Sequence, residues 1–298
     1  IYNSKRIVTF GKKIMQNLVK GLRFCAIFIN YINLDMTNIK MNYIQHQIIS
    51  QVCIIKLNRP QVYNSFNKKM AFELQEILDK SKEDDNIRSV LLTGEGKAFC
   101  AGQDLQEISD PKGPTITDII RDHYNPIIER IRCIEKPIIC AVNGVAAGAG
   151  ANISLSCDIT IAGESASFIQ AFSKIGLIPD SGGTFFLPRS IGMQKATALM
   201  MLGDKISASE ASRMGMIYKT SPDDTLMDEA FKIAEKLSKM PTRGLGLTKR
   251  ALNLSFTNNL TEQLKIEEKL QTAASKTYDY TEGVGAFLEK RPAKFKGN

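Results

Sequence analysis

Two runs rich in glycine and alanine hold the residues best suited to chemistry. They are Gly96-Lys97-Ala98-Phe99-Cys100-Ala101-Gly102-Gln103-Asp104-Leu105 and Asn143-Gly144-Val145-Ala146-Ala147-Gly148-Ala149-Gly150-Ala151. Small residues leave backbone N–H groups uncovered and let a ligand approach the main chain. Two such groups aimed at one point form an oxyanion hole, which stabilises charge growing on a carbonyl oxygen. A third small-residue turn, Pro179-Asp180-Ser181-Gly182-Gly183-Thr184, holds a single carboxylate. A lone Asp in an apolar pocket has its ionised form disfavoured; its pKa rises from ~3.9 and it becomes a better proton shuttle. The alternative task for Asp180 is a helix N-cap. Asp104 is a second acidic candidate, with the same alternative for a helix starting at Leu105.

These turns need rigid elements on either side. Ile48 to Leu57 is expected to be a strand ended by Asn58-Arg59-Pro60, and Asn67 to Lys82 an amphipathic helix. Ile87 to Thr93 is a second strand that feeds the first glycine turn. Asp118 to Ile134 reads as a helix, and Pro137 to Val142 as the strand before the second turn. Asp158 to Ala162 and Ser167 to Phe172 read as further strands, and from Ser207 the pattern is almost wholly helical. Strands alternating with helices predict an α/β fold with crossover connections.

The chain has 298 residues, 43% hydrophobic and 23% charged, which suits a globular protein with a sizeable core. The net charge of +8 is concentrated at the start: residues 1–40 carry seven Lys and Arg against Asp35. No basic run interleaved with aromatics follows, which argues against a nucleic-acid partner. The six cysteines show no C-x-x-C or C-x-x-H spacing, so no disulfide framework, zinc site or other metal site is expected. His123, in Arg121-Asp122-His123-Tyr124, reads as a surface or pocket-rim residue. The stretch between Lys136 and Asp158 carries no charge but is too rich in Asn, Ser, Gly and Ala for a membrane span. No membrane partner is expected. Residues 1–40 resemble either a transit segment or an untidy extension. The expected location is the cytoplasm, or an organelle matrix if that segment is a transit peptide.

Taken together, the motifs resemble the crotonase superfamily, the enoyl-CoA hydratases and isomerases. The matching pieces are Leu57-Asn58-Arg59-Pro60, the run Gly96 to Leu105, Ala141-Val142-Asn143-Gly144 and Pro179 to Thr184. The resemblance runs from about Met41 to the C-terminus. It implies a crotonase-like spiral of ββα units over residues 41–206 and a helical oligomerisation subdomain over 207–298, with 1–40 outside the family. It also implies an acyl-CoA thioester substrate, no separate cofactor (coenzyme A being part of the substrate), and a homo-trimer or hexamer.

By motif position, the N–H groups of Gln103 and Ala149 would receive the thioester oxygen. Lys97, Ala98, Phe99, Ala101, Gly102, Asp104, Tyr124, Gly148 and Phe172 would line the substrate site. Phe287 and Lys290 of the last helix would help to hold the nucleotide. The two glutamates with which hydratases of this family activate water would fall at Asn152 and Phe172. An amide and a hydrocarbon cannot do that work, so Asp180 is left as the acid/base and isomerisation is expected. Within the superfamily the likeness extends to members that rearrange aromatic ring-epoxide thioesters. Double-bond isomerases, hydratases with other acid/base groups, and silent acyl-CoA binders remain alternatives.

Overall fold

The chain enters through a hairpin, β1 (Ile44–Ile49) and β2 (Val52–Leu57), and then lays down strands in pairs whose members join different sheets. The computed structural model describes residues 43–298, so the expectations for residues 1–40 lie outside the described part. The pairs are β3 (Ser89–Gly94) with β4 (Ala98–Cys100), β5 (Ile138–Val142) with β6 (Val145–Ala147), and β7 (Ile159–Gly163) with β8 (Ser167–Ile169). The first member of each pair extends a sheet of order β1-β2-β3-β5-β7-β10, completed by β10 (Lys219–Ser221). The second member extends a smaller sheet, β4-β6-β8-β9, completed by β9 (Lys205–Ser207). All pairings are parallel except β1 with β2 and β8 with β9.

Helical segments return the chain after each pair. They are α1 (Lys68–Glu83), α2 (Leu105–Ser109), α3 (Asn125–Cys133), α4 (Ala149–Ser156), α5 (Gly183–Ile191) and α6 (Met193–Leu202). The repeat is the expected spiral of ββα units. The C-terminal part follows as α7 (Ala208–Arg213), α8 (Leu226–Ser238), α9 (Thr242–Ser255), α10 (Leu260–Ala274) and α11 (Tyr278–Leu288).

The parallel strands are buried on both faces, as crossover helices require. Their side chains alternate between two apolar clusters. Val90, Leu92, Ile138, Cys140 and Val142 pack with Met70, Leu74 and Leu78 of α1, Ile127 and Ile131 of α3, and Ile153 of α4. Leu91, Ile139, Ala141 and Ile161 pack with Leu226, Ala230 and Ala234 of α8. Helix α9 is fastened to this core by charge: Lys249 Nζ lies 2.7 Å and Arg132 Nη1 3.1 Å from the carboxylate oxygens of Asp158.

Three elements differ from the sequence reading. The single strand expected over 48–57 is the β1–β2 hairpin, turned at Ser50 and Gln51, both left-handed with φ of 50° and 65°. That turn type favours Asn-Gly, and Ser-Gln gives no such signal. The helix expected over 118–134 has a π-helical first half, Ile119–Tyr124, running directly into α3. The last strand of the second sheet's parallel set stops at Ile169, and Ala171–Ile175 is a 3₁₀ turn that carries Phe172.

Candidate active site

Gln103 sits beside Phe66 in a short parallel bridge. Phe66 N donates to Gly102 O (2.7 Å), and Asp104 N donates to Phe66 O (2.8 Å). Because the flanking residues make these bonds, the N–H of Gln103 itself turns to the opposite side. No acceptor among the described residues takes it. Gly102 makes the turn possible with a φ of 93°, where a Cβ would be strained. That Cβ would lie 3.0 Å from Ala147 O and 3.7 Å from Ala149 N, so the two glycine turns meet here.

Ala149 is the first residue of α4, and its N–H therefore has no acceptor within the helix. The helix dipole adds partial positive charge at that end. Gly148 before it adopts φ 54° and ψ −126°, a conformation essentially closed to residues with a Cβ. Its own N–H is used by Ile169 O at 2.9 Å. The buried ring of Phe172 lies 3.7 Å from where a Cβ on Gly148 would stand, so an apolar wall borders the Ala149 amide.

The side chain of Gln103 is held at both ends. Its Oε1 accepts from Tyr124 Oη (2.9 Å), and its Nε2 donates to Glu107 Oε2 (2.8 Å). Glu107 Oε1 in turn accepts from Lys68 N at the start of α1. Tyr124 is fully buried, edge-on to Phe66 at 5.8 Å. Burial, reinforced by the carboxylates of Asp180 and Glu107, pushes its phenol pKa well up, so the hydroxyl keeps its proton and donates. The Cys100 thiol, pushed by burial to about 12, is neutral and accepts from Gly102 N at 3.4 Å.

Asp180 opens the turn into α5. Burial raises its pKa, and a hydrogen bond from Ser181 Oγ (2.8 Å) holds it partly down. The N-cap of α5 is Gly182, which leaves Asp180 without that task. Its backbone carbonyl accepts from Gly183 N (2.8 Å) and from Asn152 Nδ2 (2.9 Å), which ties it to α4. That bond sets the Asp180 turn against the helix whose first residue is Ala149.

Asp104 is occupied otherwise. One oxygen caps α2 through Gln106 N (3.1 Å), and the other pairs with Arg59 Nη2 (2.8 Å). Lys97 is exposed at the tip between β3 and β4, while Ala98 and Phe99 are buried and Ala101 is half-buried. Ala98 O is used by Asn64 Nδ2 at 2.8 Å. Phe287 is 83% exposed in a groove shared with Pro241, Val284 and Leu288, and Lys290 lies just beyond α11. Neither is brought to the glycine turns in this single chain. His123 is buried rather than at the surface, edge-on to Phe72, and burial lowers its pKa, so its ring is neutral.

Three ties were not expected: Tyr124 to Gln103, Arg59 to Asp104, and Asn152 to Asp180. Each spans 21 to 45 residues of sequence and leaves no local pattern. Among the described residues, no group of three His, Cys, Asp or Glu could hold a metal, and no helix is long and apolar enough to cross a membrane.

Residues 47–298 match the family described as enoyl-CoA hydratase/isomerase. The chain is 48% identical over 260 residues to 1,2-epoxyphenylacetyl-CoA isomerase of Escherichia coli K12, covering 86% of this chain and 99% of that one. It is 37% identical over 245 residues to the mitochondrial enoyl-CoA hydratase of Pongo abelii, covering 82% and 83%. A crystal structure of an enoyl-CoA hydratase from Bacillus anthracis superposes with a TM-score of 0.80 at 36% identity, covering 86% and 100%.

Proposed function

The chain belongs to the enoyl-CoA hydratase/isomerase family, and we propose that it is an acyl-CoA isomerase whose preferred substrate is the ring epoxide 2-(1,2-epoxy-1,2-dihydrophenyl)acetyl-CoA. The observation that carries this reading is the carboxylate inventory. Asp180 is the one acid in the turn beside α4, where position 152 is an amide and position 172 a buried phenyl ring. Water activation by paired glutamates is out of reach; transfer of a proton within the substrate is not. The higher identity to the epoxyphenylacetyl-CoA isomerase than to the hydratase supports the same choice.

In the proposed reaction the thioester oxygen accepts from the N–H groups of Gln103 and Ala149. The ring bond shared with the epoxide opens to the seven-membered oxepin. Asp180 takes a proton from the carbon between ring and thioester, and the negative charge collects on the thioester oxygen. The proton then returns to a ring carbon conjugated with it. Every atom is conserved, no water enters and nothing is oxidised or reduced. Each oxyanion donor is worth ~3–4 kcal/mol of transition-state stabilisation. Phe172 keeps water from the intermediate. A Δ3–Δ2 shift in a linear enoyl-CoA uses the same proton transfer and is the second reading.

The coenzyme A handle would run along Lys97 to Ala101. The expected trimer or hexamer would bury the exposed apolar residues of α10 and α11, Phe287 among them, and sedimentation velocity checks it. The activity test is spectrophotometric, with the epoxide, a 3-enoyl-CoA and crotonyl-CoA as substrates. Conversion of the epoxide without water addition is expected. Rapid hydration of crotonyl-CoA would overturn the assignment.

A further inference from the structure

The geometry points to Asn152, held in one orientation by Gln170, as the residue that positions Asp180. This rests on the reading of Asp180 as the proton-moving group and goes beyond it. Asn152 is fully buried on α4, one turn after Ala149. Its Nδ2 donates to Asp180 O at 2.9 Å, and its Oδ1 accepts from Gln170 Nε2 at 2.8 Å. A backbone carbonyl only accepts, so Asn152 must offer it the NH₂ end. The oxygen of Asn152 then faces Gln170, which must donate. One orientation of the amide pairs both ends of Asn152.

The turn so held needs holding. Ser181 has a φ of 51° and Gly182 of 73°. A non-glycine residue in that region is strained and persists only where its surroundings over-determine it. Gly183 N and Asn152 Nδ2 together fill both acceptor positions of Asp180 O. The approach is close: a Cβ on Gly183 would lie 2.4 Å from Asn152 Nδ2. A carboxylate at position 152 would set oxygen against oxygen and add a second negative charge beside Asp180. The amide at this position is therefore a working part of the Asp180 site, and more than a missing glutamate. Gln170, itself buried, leaves its Oε1 without a partner among the described residues. A buried acceptor left so is costly, and the structure bears that cost while the amide orients Asn152.

The test compares Asn152→Ala, Asn152→Asp and Gln170→Glu in the full-length protein. Each is measured for kcat, KM and thermal midpoint, and for the titration of Asp180 by carbon-13 NMR of labelled aspartate. The Asp180 signal is the one lost in Asp180→Asn. Gln170→Glu offers Asn152 an acceptor, so the amide flips and turns its oxygen on Asp180 O. All three variants are expected to lose roughly 10- to 100-fold in kcat with KM little changed, as misplacement of a reacting group does. In Asn152→Asp the Asp180 titration moves to higher pH. Adding Gln170→Glu to Asn152→Ala is expected to cause no further loss. Wild-type kcat and an unmoved Asp180 titration in folded Gln170→Glu would overturn the proposal, and that variant decides the matter if Asn152→Ala does not fold. If the titration moves but the wild type isomerises no acyl-CoA offered, the positioning role stands and the reaction assignment falls.

Discussion

The two glycine turns and the Asp180 turn both pack against the helix that starts at Ala149, but they are built in opposite ways. The glycine turns aim backbone N–H groups and depend on main-chain path: Gly102 and Gly148 take positive φ, and the proposed donors, Gln103 and Ala149, serve through their backbone whatever their side chains. The Asp180 turn aims a side chain and depends on side-chain partners: Ser181 on the carboxylate, Asn152 on the carbonyl, Gln170 behind Asn152. On the proposed mechanism, polarising the carbonyl is thus protected against most substitutions, whereas proton transfer is exposed to them.

Substitutions can separate the two halves. Asp180→Asn is expected to lower isomerisation by ~10³-fold, within the range for a positioned acid/base, while binding of a product-like thioester stays unchanged by calorimetry. Weakened binding of similar size would mean that the halves are not separable. Gly102→Ala forces a Cβ into a left-handed turn against Ala147 O, and should cost ~100-fold in kcat, the loss of one oxyanion donor. An unaffected rate there would break the claim that main-chain path governs this half. Tyr124→Phe removes one hydrogen bond from the Gln103 side chain but not the amide itself, and steady-state rates should fall only ~3- to 10-fold.

The smallest effect concerns pH. Asp180 must be ionised to accept a proton, and burial raises its pKa, so the acid limb of kcat/KM should lie above the ordinary carboxylate range. Activity is lost as pH falls through that value. The Ser181 hydroxyl favours the ionised form, and Ser181→Ala should move the limb to higher pH. A limb that moves down would assign it to another group.

The same contrast explains what the sequence conveyed. Gly102, Gly148 and the β-branched runs before them write local backbone conformation into local sequence, so the turns and the parallel strands were legible, while the spiral was implied only by the family resemblance. Asp180 was legible as a lone acid among small residues. Asn152 was visible only as a departure from the glutamate pattern, because its partners lie 18 and 28 residues away and approach through the fold. Tyr124 reaches Gln103 from a π-helical segment, and nothing in the 3.6-residue apolar spacing announces the extra residue in that turn. The Ser50-Gln51 hairpin escaped for a like reason: its left-handed pair is stabilised by six β1–β2 register pairs rather than by turn-forming residues.

The most direct measurement joins two readouts on a bound acyl-CoA carrying a carbon-13 label at the thioester carbonyl. Isotope-edited infrared spectra report the carbonyl, and NMR in deuterium oxide reports exchange of the proton at the adjacent carbon. In the wild type the carbonyl band should shift to lower frequency and the proton should exchange; in Asp180→Asn the band should keep its shift while exchange stops. An unshifted carbonyl in the wild type, or exchange that continues without Asp180, would contradict the division of labour between the backbone pair and the single carboxylate.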